Sequence, residues 1–337
     1  MKFWYIRNME KLPFASKKQY RLLSNFFVLL LMTFILPSNT QCADNKLLKT
    51  GEYLYFGRYY GEDILWRVIN DPEKDDGALL FSEKIISMKS FDAAGHAAGG
   101  RDDRRKTRER YGSGYWPDST LRKWLNSYDE TVTYLYFPPT EERVMGRQNY
   151  EDEPGFLYNF TEVEIKMLKP YTHRVLLSPA EAELSEGGTE PYSYHPEIAH
   201  SMDNFDSSYY QYVTDKVFVP GIDIIYNLVY SRNWSYFKTP TPSLVEEEGI
   251  FVERRNIPFT SDTYWWYWLT TPFADSLRFM VVMATDRIGA QAGTISLLHP
   301  NDGNGGVAPL IYIPKFLNIS EGDGSSSDPY LPNLEPK

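Results

Sequence analysis

From residue 51 onward the chain alternates short apolar runs with Gly-rich and acidic punctuation, the pattern of antiparallel strands joined by turns. Residues 53–56, 65–70 (LWRVIN) and 78–82 (ALLFS) read as strands, separated by Gly57, Gly61 and the acidic stretch 71–77. The period then changes to that of helices. Ser119 stands as an N-cap before Leu121, Trp124 and Leu125, apolar at i, i+3 and i+4. Thr161 and Glu164 have capping-box spacing ahead of Val163, Ile165 and Leu168, and Pro170 closes the element. Ser178, Pro179 and Glu181 repeat the device after a strand-like 175–177. Residues 187–212 are polar, Tyr-rich and without period, which predicts a long ordered loop. Pro240, Pro242 and the acids 246–248 predict a second surface excursion. Strand patterns return at 278–285, 294–298 and 310–313, and the aromatic string TYWWYWLTTP (263–272) would put Trp266 and Trp268 on one strand face and Trp265 on the other. Mixed short strands, few helices and long loops predict the α+β class.

The first 42 residues follow a different rule. Six Lys/Arg precede a run at 26–37 (FFVLLLMTFILP) that is apolar except for Thr33, and polar SNTQ follows. Twelve residues are too few for a membrane span, which needs about 20, and match the core of an export signal. Cleavage after Cys42 is the expectation, with an uncleaved anchor and lipidation at Cys42 as alternatives. Asn39, Thr40 and Gln41 do not supply a lipobox.

Charge sharpens that division. The formal net charge is −10, yet residues 1–42 hold six bases against Glu10 alone, leaving 29 basic and 44 acidic side chains beyond them. So acidic a body repels phosphate backbones and anionic lipid, which argues against nucleic acid or a membrane surface as partner. The lone cysteine, Cys42, allows neither an intrachain disulfide nor a Cys-based zinc site. The basic run 101–110, with six Lys/Arg and three acids, reads as a solvated insertion with internal ion pairing.

Motifs of known chemistry do not emerge. There is no GxSxG, Walker loop or HExxH, and Gly303, Gly305 and Gly306 open no helix. His195 and His200 are not spaced to share a metal, and His96, His173 and His299 are isolated. Glu321, Asp323 and Asp328 lack the bidentate Glu of a calcium loop. Sequons occur at Asn159, Asn233 and Asn318. No metal or cofactor is expected, and no catalytic residue is assigned.

A series of short strings, taken in order, does carry information: Phe56-Gly57, Ile64 with Trp66-Arg67-Val68, Ala78-Leu79-Leu80, WPDSTLRKWLN (116–126), FTEVEI (160–165), DKVFVPGID (215–223), WWYWLTTP (265–272) and GGVAPLI (305–311). Over about residues 50–315 this resembles the secreted bacterial domain of unknown function family numbered 6273. Thr270 and Phe273 stand where the family tends to have Arg and Gly, Ala308 replaces an Arg, and Val219-Pro220-Gly221 replaces Leu-Leu-Ser. The family is distantly similar to the C-type-lectin and formylglycine-generating-enzyme superfold, which implies a compact α+β domain but no particular activity. Formylglycine chemistry needs active-site cysteines that the body past Cys42 lacks.

The resulting expectation is a signal segment (1–42), one α+β domain (50–315) and a Ser/Gly/Asp/Pro-rich tail (316–337). The protein is expected to be a secreted or surface-displayed, non-catalytic module binding a glycan or a protein through Trp234, Trp265, Arg278, Asp302 and Asn304. A carbohydrate-active hydrolase using loop carboxylates, and a purely structural surface protein, are the alternatives. Burial of the indoles at 265, 266 and 268 decides whether they are platform or core.

Overall fold

The computed structural model describes residues 45–95, 109–146, 149–177, 210–249, 258–272, 279–282 and 295–334. The first strand, β1 (Asn45–Leu47), precedes a meander of β2 (Tyr53–Tyr59), β3 (Glu62–Val68) and β4 (Ala78–Ser82), and a short β5 (Ser87–Met88) follows. Two helices come next, α1 (Thr120–Leu125) and α2 (Glu162–Met167), then β6 (Tyr171–Leu176), β7 (Tyr210–Asp215) and β8 (Val217–Phe218). A helical turn α3 (Ile222–Ile224) runs on through a π turn (Ile225–Val229) into a 3-10 turn (Tyr230–Arg232), ahead of α4 (Pro242–Glu248). The remaining strands are β9 (Tyr267–Pro272), β10 (Phe279–Val282), β11 (Ile295–Leu298), β12 (Gly306–Val307), β13 (Leu310–Ile313), β14 (Phe316–Glu321) and β15 (Leu331–Pro332).

These strands form two five-stranded sheets, ordered β2-β3-β4-β13-β8 and β11-β10-β9-β12-β5, with a three-stranded β1-β14-β15 sheet and a β6-β7 pair. Pairing is antiparallel except between β12 and β9. The class is α+β, with few helices and several small sheets. The short apolar runs become central strands: every residue of β4, β9 and β13 is buried, as expected of strands covered on both faces. Among the described residues no helix is long and apolar enough to cross a membrane.

The strings identified in the sequence are wired to one another. Trp116 Nε1 and Arg122 Nε from the first long string donate to Asp215 Oδ2 and Oδ1 of the DKVF string, at 2.9 and 2.7 Å. His173 Nε2 lies 2.9 Å from Oδ2 of the same carboxylate. Asn126 Oδ1 accepts from the amides of Lys216 and Val217, and its Nδ2 returns a bond to the Val217 carbonyl at 2.7 Å. Gly57, at a shift in the β2–β3 register with φ +71°, donates to Glu164 Oε1 at 2.9 Å. Its missing Cβ makes room for the Phe160 ring, whose atoms lie 2.3 Å from where that carbon would be. Glu164 also completes the capping box with Thr161, and Ser119 caps α1 by accepting from the Arg122 amide, both as the sequence predicts.

Two glycines decide how the last string docks. A Cβ on Gly305 would sit 1.9 Å from Trp268 Nε1, and one on Gly306 would sit 2.6 Å from the Trp266 carbonyl. The backbone therefore slides directly against the indole layer, and Gly306 N bonds the Trp266 carbonyl at 3.1 Å. Trp268 in turn donates Nε1 to the Lys89 carbonyl at 2.7 Å, so a buried indole keeps its polar atom satisfied.

Three expectations need correcting. The segment from 316 is not a tail. β14 pairs with both β1 and β15, and Tyr330 is buried with its amide and carbonyl bonded to Tyr53 and Tyr55. Gly322 and Gly324, both at positive φ, bend the chain so that Tyr330 reaches Glu52 Oε1 at 3.0 Å and the edge strand β2 is covered. The end of the supposed loop at 187–212 is strand, because Tyr210 begins β7 and pairs with Leu176, while 187–209 lie outside the described residues. The acids at 246–248 end a helix, and Glu248 is buried. The helix start at Ser178 also falls outside the described residues.

Gly305→Ala is expected to destabilise the fold by about 3 kcal/mol, the upper part of the range for overpacking, because backbone and a buried indole leave nowhere for a methyl group. Urea unfolding followed by tryptophan fluorescence measures this, and a loss below about 1 kcal/mol would refute the close approach.

Candidate functional site

A binding or catalytic centre needs polar groups that the fold has not already engaged, so the buried titratable groups come first. Lys89 is 1 % exposed, with Nζ 3.0 Å from Glu153 Oε2 and 3.3 Å from Glu248 Oε1. Its ammonium also lies over the rings of Trp124 and Tyr150, at 5.2 and 5.5 Å. Glu248 is saturated: Tyr60 Oη, Ser87 Oγ and Lys89 Nζ donate to Oε1, and the Met88 amide to Oε2. Burial works against the Lys89 charge, but Glu153 and Glu248 more than offset it and hold its pKa above the ordinary lysine value. Glu153, whose side chain is 34 % exposed, is pushed up by burial and by Glu248, against the pull of Lys89.

This triad resembles an acid–base pair in composition and not in availability. Lys89 stays protonated, which removes it as a nucleophile. Glu248 is buried with three donors on Oε1 and one on Oε2, so it is committed to the frame. The cluster ties the β2–β3 turn, β5, α4 and the 150–153 loop together, and removing one charge would leave the others unpaired at a cost of about 3–5 kcal/mol. No group of three or more His, Cys, Asp or Glu that could hold a metal occurs among the described residues.

Lys238 is the second buried cation. Its Nζ donates to the Ser82 carbonyl and lies 3.7 Å from the centre of the Phe81 ring. Burial pulls its pKa down to about 8, with Glu83 opposing and Arg67 reinforcing the shift. It anchors the segment that carries Tyr236 and Phe237, and the Trp265 amide bonds the Lys238 carbonyl at 3.0 Å.

Of the residues expected to bind, Trp265 and Asn304 are buried. Trp265 is 2 % exposed, its Nε1 donates to the Asn304 carbonyl at 2.9 Å, and Phe259 packs edge-on at 5.0 Å. Bringing an indole of about 150–250 Å² to the surface costs about 4–6 kcal/mol at 25 cal/mol/Å², against roughly 1 kcal/mol from one stacked sugar or ring. Trp265 is therefore core, as are Trp266 and Trp268. Asn304 is buried beside it. Asp302 Oδ1 accepts from the amide and the Nδ2 of Asn304, at 2.9 and 3.1 Å, so these two residues close a turn under the indole. Trp234 is half-buried against Gly51, with the guanidinium carbons of Arg67 and Arg232 at 5.0 and 5.5 Å from its ring. Arg278 lies outside the described residues.

Around Trp234 the structure instead assembles a ribbon of rings. Ile224, Ile225 and Val229 are buried, which turns Tyr226 and Tyr230, four residues apart, toward the outside together. Their rings stack at 5.6 Å and 29°. Tyr230 meets Tyr236 at 6.0 Å, Tyr236 meets Phe237 at 4.6 Å, and Phe237 meets Tyr264 at 5.5 Å. Tyr230 is 54 % exposed and Tyr264 46 %, so the ribbon is open at two of its members. It is also fixed in place: Asn233 ends the 3-10 turn in the left-handed conformation (φ 59°, ψ 29°), and Tyr267 Oη holds the Tyr236 carbonyl at 2.7 Å. The four-residue spacing of Tyr226 and Tyr230 over an Ile/Val stripe was a usable sequence signal. Reading that stretch for its apolar stripe would have shown which tyrosines face outward.

The family model described as "Domain of unknown function (DUF6273)" matches residues 75–315. The chain belongs to that family. No curated protein and no solved structure matches it significantly. The matched DUF6273 region contains Trp116, Asp215, the indole layer, Gly305 and the whole aromatic ribbon. It begins after β2 and β3, so Phe56-Gly57 and Trp66-Arg67-Val68 precede it.

Lys238 gives this region a measurable signature. Its folded pKa lies below the unfolded value of 10.5, so between about pH 8 and 10.5 the unfolded chain binds the extra proton and stability rises with pH. Lys238→Met is expected to be more stable than the unsubstituted protein at pH 7, by up to about 3 kcal/mol, with the difference shrinking by pH 9.5. Urea unfolding at both pH values tests this; a variant that is less stable at pH 7 would show that the ammonium is a net stabiliser.

Proposed function

We propose that the protein is a non-catalytic binding module, exported from a bacterium, that takes a glycan on the ribbon formed by Tyr226, Tyr230, Tyr236, Phe237 and Tyr264. The ribbon carries this reading. Sugar rings present C–H faces that stack on aromatic faces, and phenols offer hydrogen bonds at the same place. The N-terminal pattern of basic residues before a short apolar core supports export. The mixed arrangement of short strands and helices is in keeping with a C-type-lectin-like domain, which belongs to the same proposal.

The way the chain uses its polar motif residues supports binding over catalysis. Asp215, Arg122, Asn126 and Glu164 are all engaged with other motif residues or backbone, and Lys89 pairs with both Glu153 and the buried Glu248. Recognition is then left to loop and turn residues, where binding groups concentrate on a rigid scaffold.

Tyr230→Ala with Tyr264→Ala should leave the circular dichroism spectrum unchanged, because both rings are about half exposed. Two ring contacts of roughly 1 kcal/mol each correspond to an affinity loss of about 30-fold. A glycan array on the purified protein identifies the ligand, and calorimetry on the double variant measures the loss. Absence of any glycan ligand, or equal binding by the variant, would overturn the assignment.

A further inference from the structure

The 3-10 turn that carries Tyr230 also carries a cation. Arg232 follows Tyr230 in the 3-10 turn, is half-buried, and donates through Nη1 to the carbonyls of Leu228 and Asn227, at 2.8 and 3.4 Å. These bonds and the Trp234 ring fix the guanidinium while leaving Nη2 and Nε without a protein acceptor among the described residues. Arg58, Arg67 and Arg122 each answer an acid, namely Asp63, Glu83 and Asp215. Arg232 has no carboxylate within ion-pair distance among the described residues. Asp71 feels its charge, but that carboxyl is lowered first by Lys74, with which it pairs at 2.8 Å.

A fixed guanidinium with unused N–H groups matches a planar carboxylate, which it can hold through two parallel bonds. The body of the protein is strongly acidic, and at physiological salt charges more than about 8 Å apart are largely screened, so a contact pair at Arg232 outweighs the distant repulsion. Building on the glycan reading of the ribbon, we infer that its ligand is an acidic sugar of the uronic-acid class, the pyranose ring lying on Tyr230 and its carboxylate pairing with Arg232. The acid selects the ligand and the rings supply the contact area.

The test uses the whole protein and calorimetry at physiological salt. Oligomers of galacturonate, glucuronate and mannuronate are each compared with the neutral oligosaccharide of the same linkage. At least one oligouronate should bind about tenfold more tightly than its neutral counterpart. Arg232→Gln should bring the two to the same level, and Arg232→Lys should restore only part of the preference. Equal binding of acidic and neutral sugars by the unsubstituted protein, a preference that survives Arg232→Gln, or displacement of the sugar by an oligoglutamate peptide at similar concentration would overturn the inference and leave the glycan reading standing. Failure of every oligosaccharide, acidic and neutral, to bind would overturn both.

Discussion

One buried carboxylate holds the middle of this protein together. Asp215 bonds an indole N–H from Trp116, the guanidinium of Arg122 and the imidazole of His173, so three separate parts of the chain meet on two oxygen atoms. Burial alone would raise its pKa; the His173 bond, the Arg122 charge and the Trp116 bond outweigh that and keep it ionised below the ordinary carboxylate range. The consequence is positional. α1 is fixed against β7 and β8, Asn126 repeats the clamp two residues along, and the strand leading to α3 starts from a set point. The ribbon tyrosines at 226 and 230 follow within fifteen residues of that clamp.

The second constraint is the closeness of Gly305 and Gly306 to the indole layer. The Trp268 indole and the Trp266 carbonyl leave no room for a side chain there, and the indoles at 265, 266 and 268 are all buried. Between them, the two constraints use the side chains that resemble a family signature. That signature is therefore a description of a frame, and the proposed recognition surface is carried by other residues.

Much of the frame was legible. Caps at Ser119 and Thr161 follow from local hydrogen-bond chemistry that needs no tertiary information, and both formed. Short apolar runs at 53–56, 78–82 and 310–313 marked β2, β4 and β13, although β2 continues past Gly57 to Tyr59. The segment from 316 misled because its Ser, Gly and Asp content is that of a linker, while its placement depends on one buried tyrosine, Tyr330, and two glycines at positive φ. Composition averages over such single contacts. Trp265 and Asn304 misled for a related reason: their type suits a glycan site, but the bond between them lies beneath the surface. The ribbon was missed because its members are spread from 226 to 264 and become neighbours only when Tyr236 is pinned by Tyr267.

On the proposed function, the frame stays apart from the recognition surface. That separation is tested most directly by NMR on the folded protein titrated with its array-identified sugar. The predicted result is that amide shifts change at 226–237 and around Tyr264, while those of Lys89, Glu153 and Glu248 stay fixed. Shifts centred on the Lys89 triad, with the ribbon unaffected, would contradict the account and place the site in the charged cluster instead.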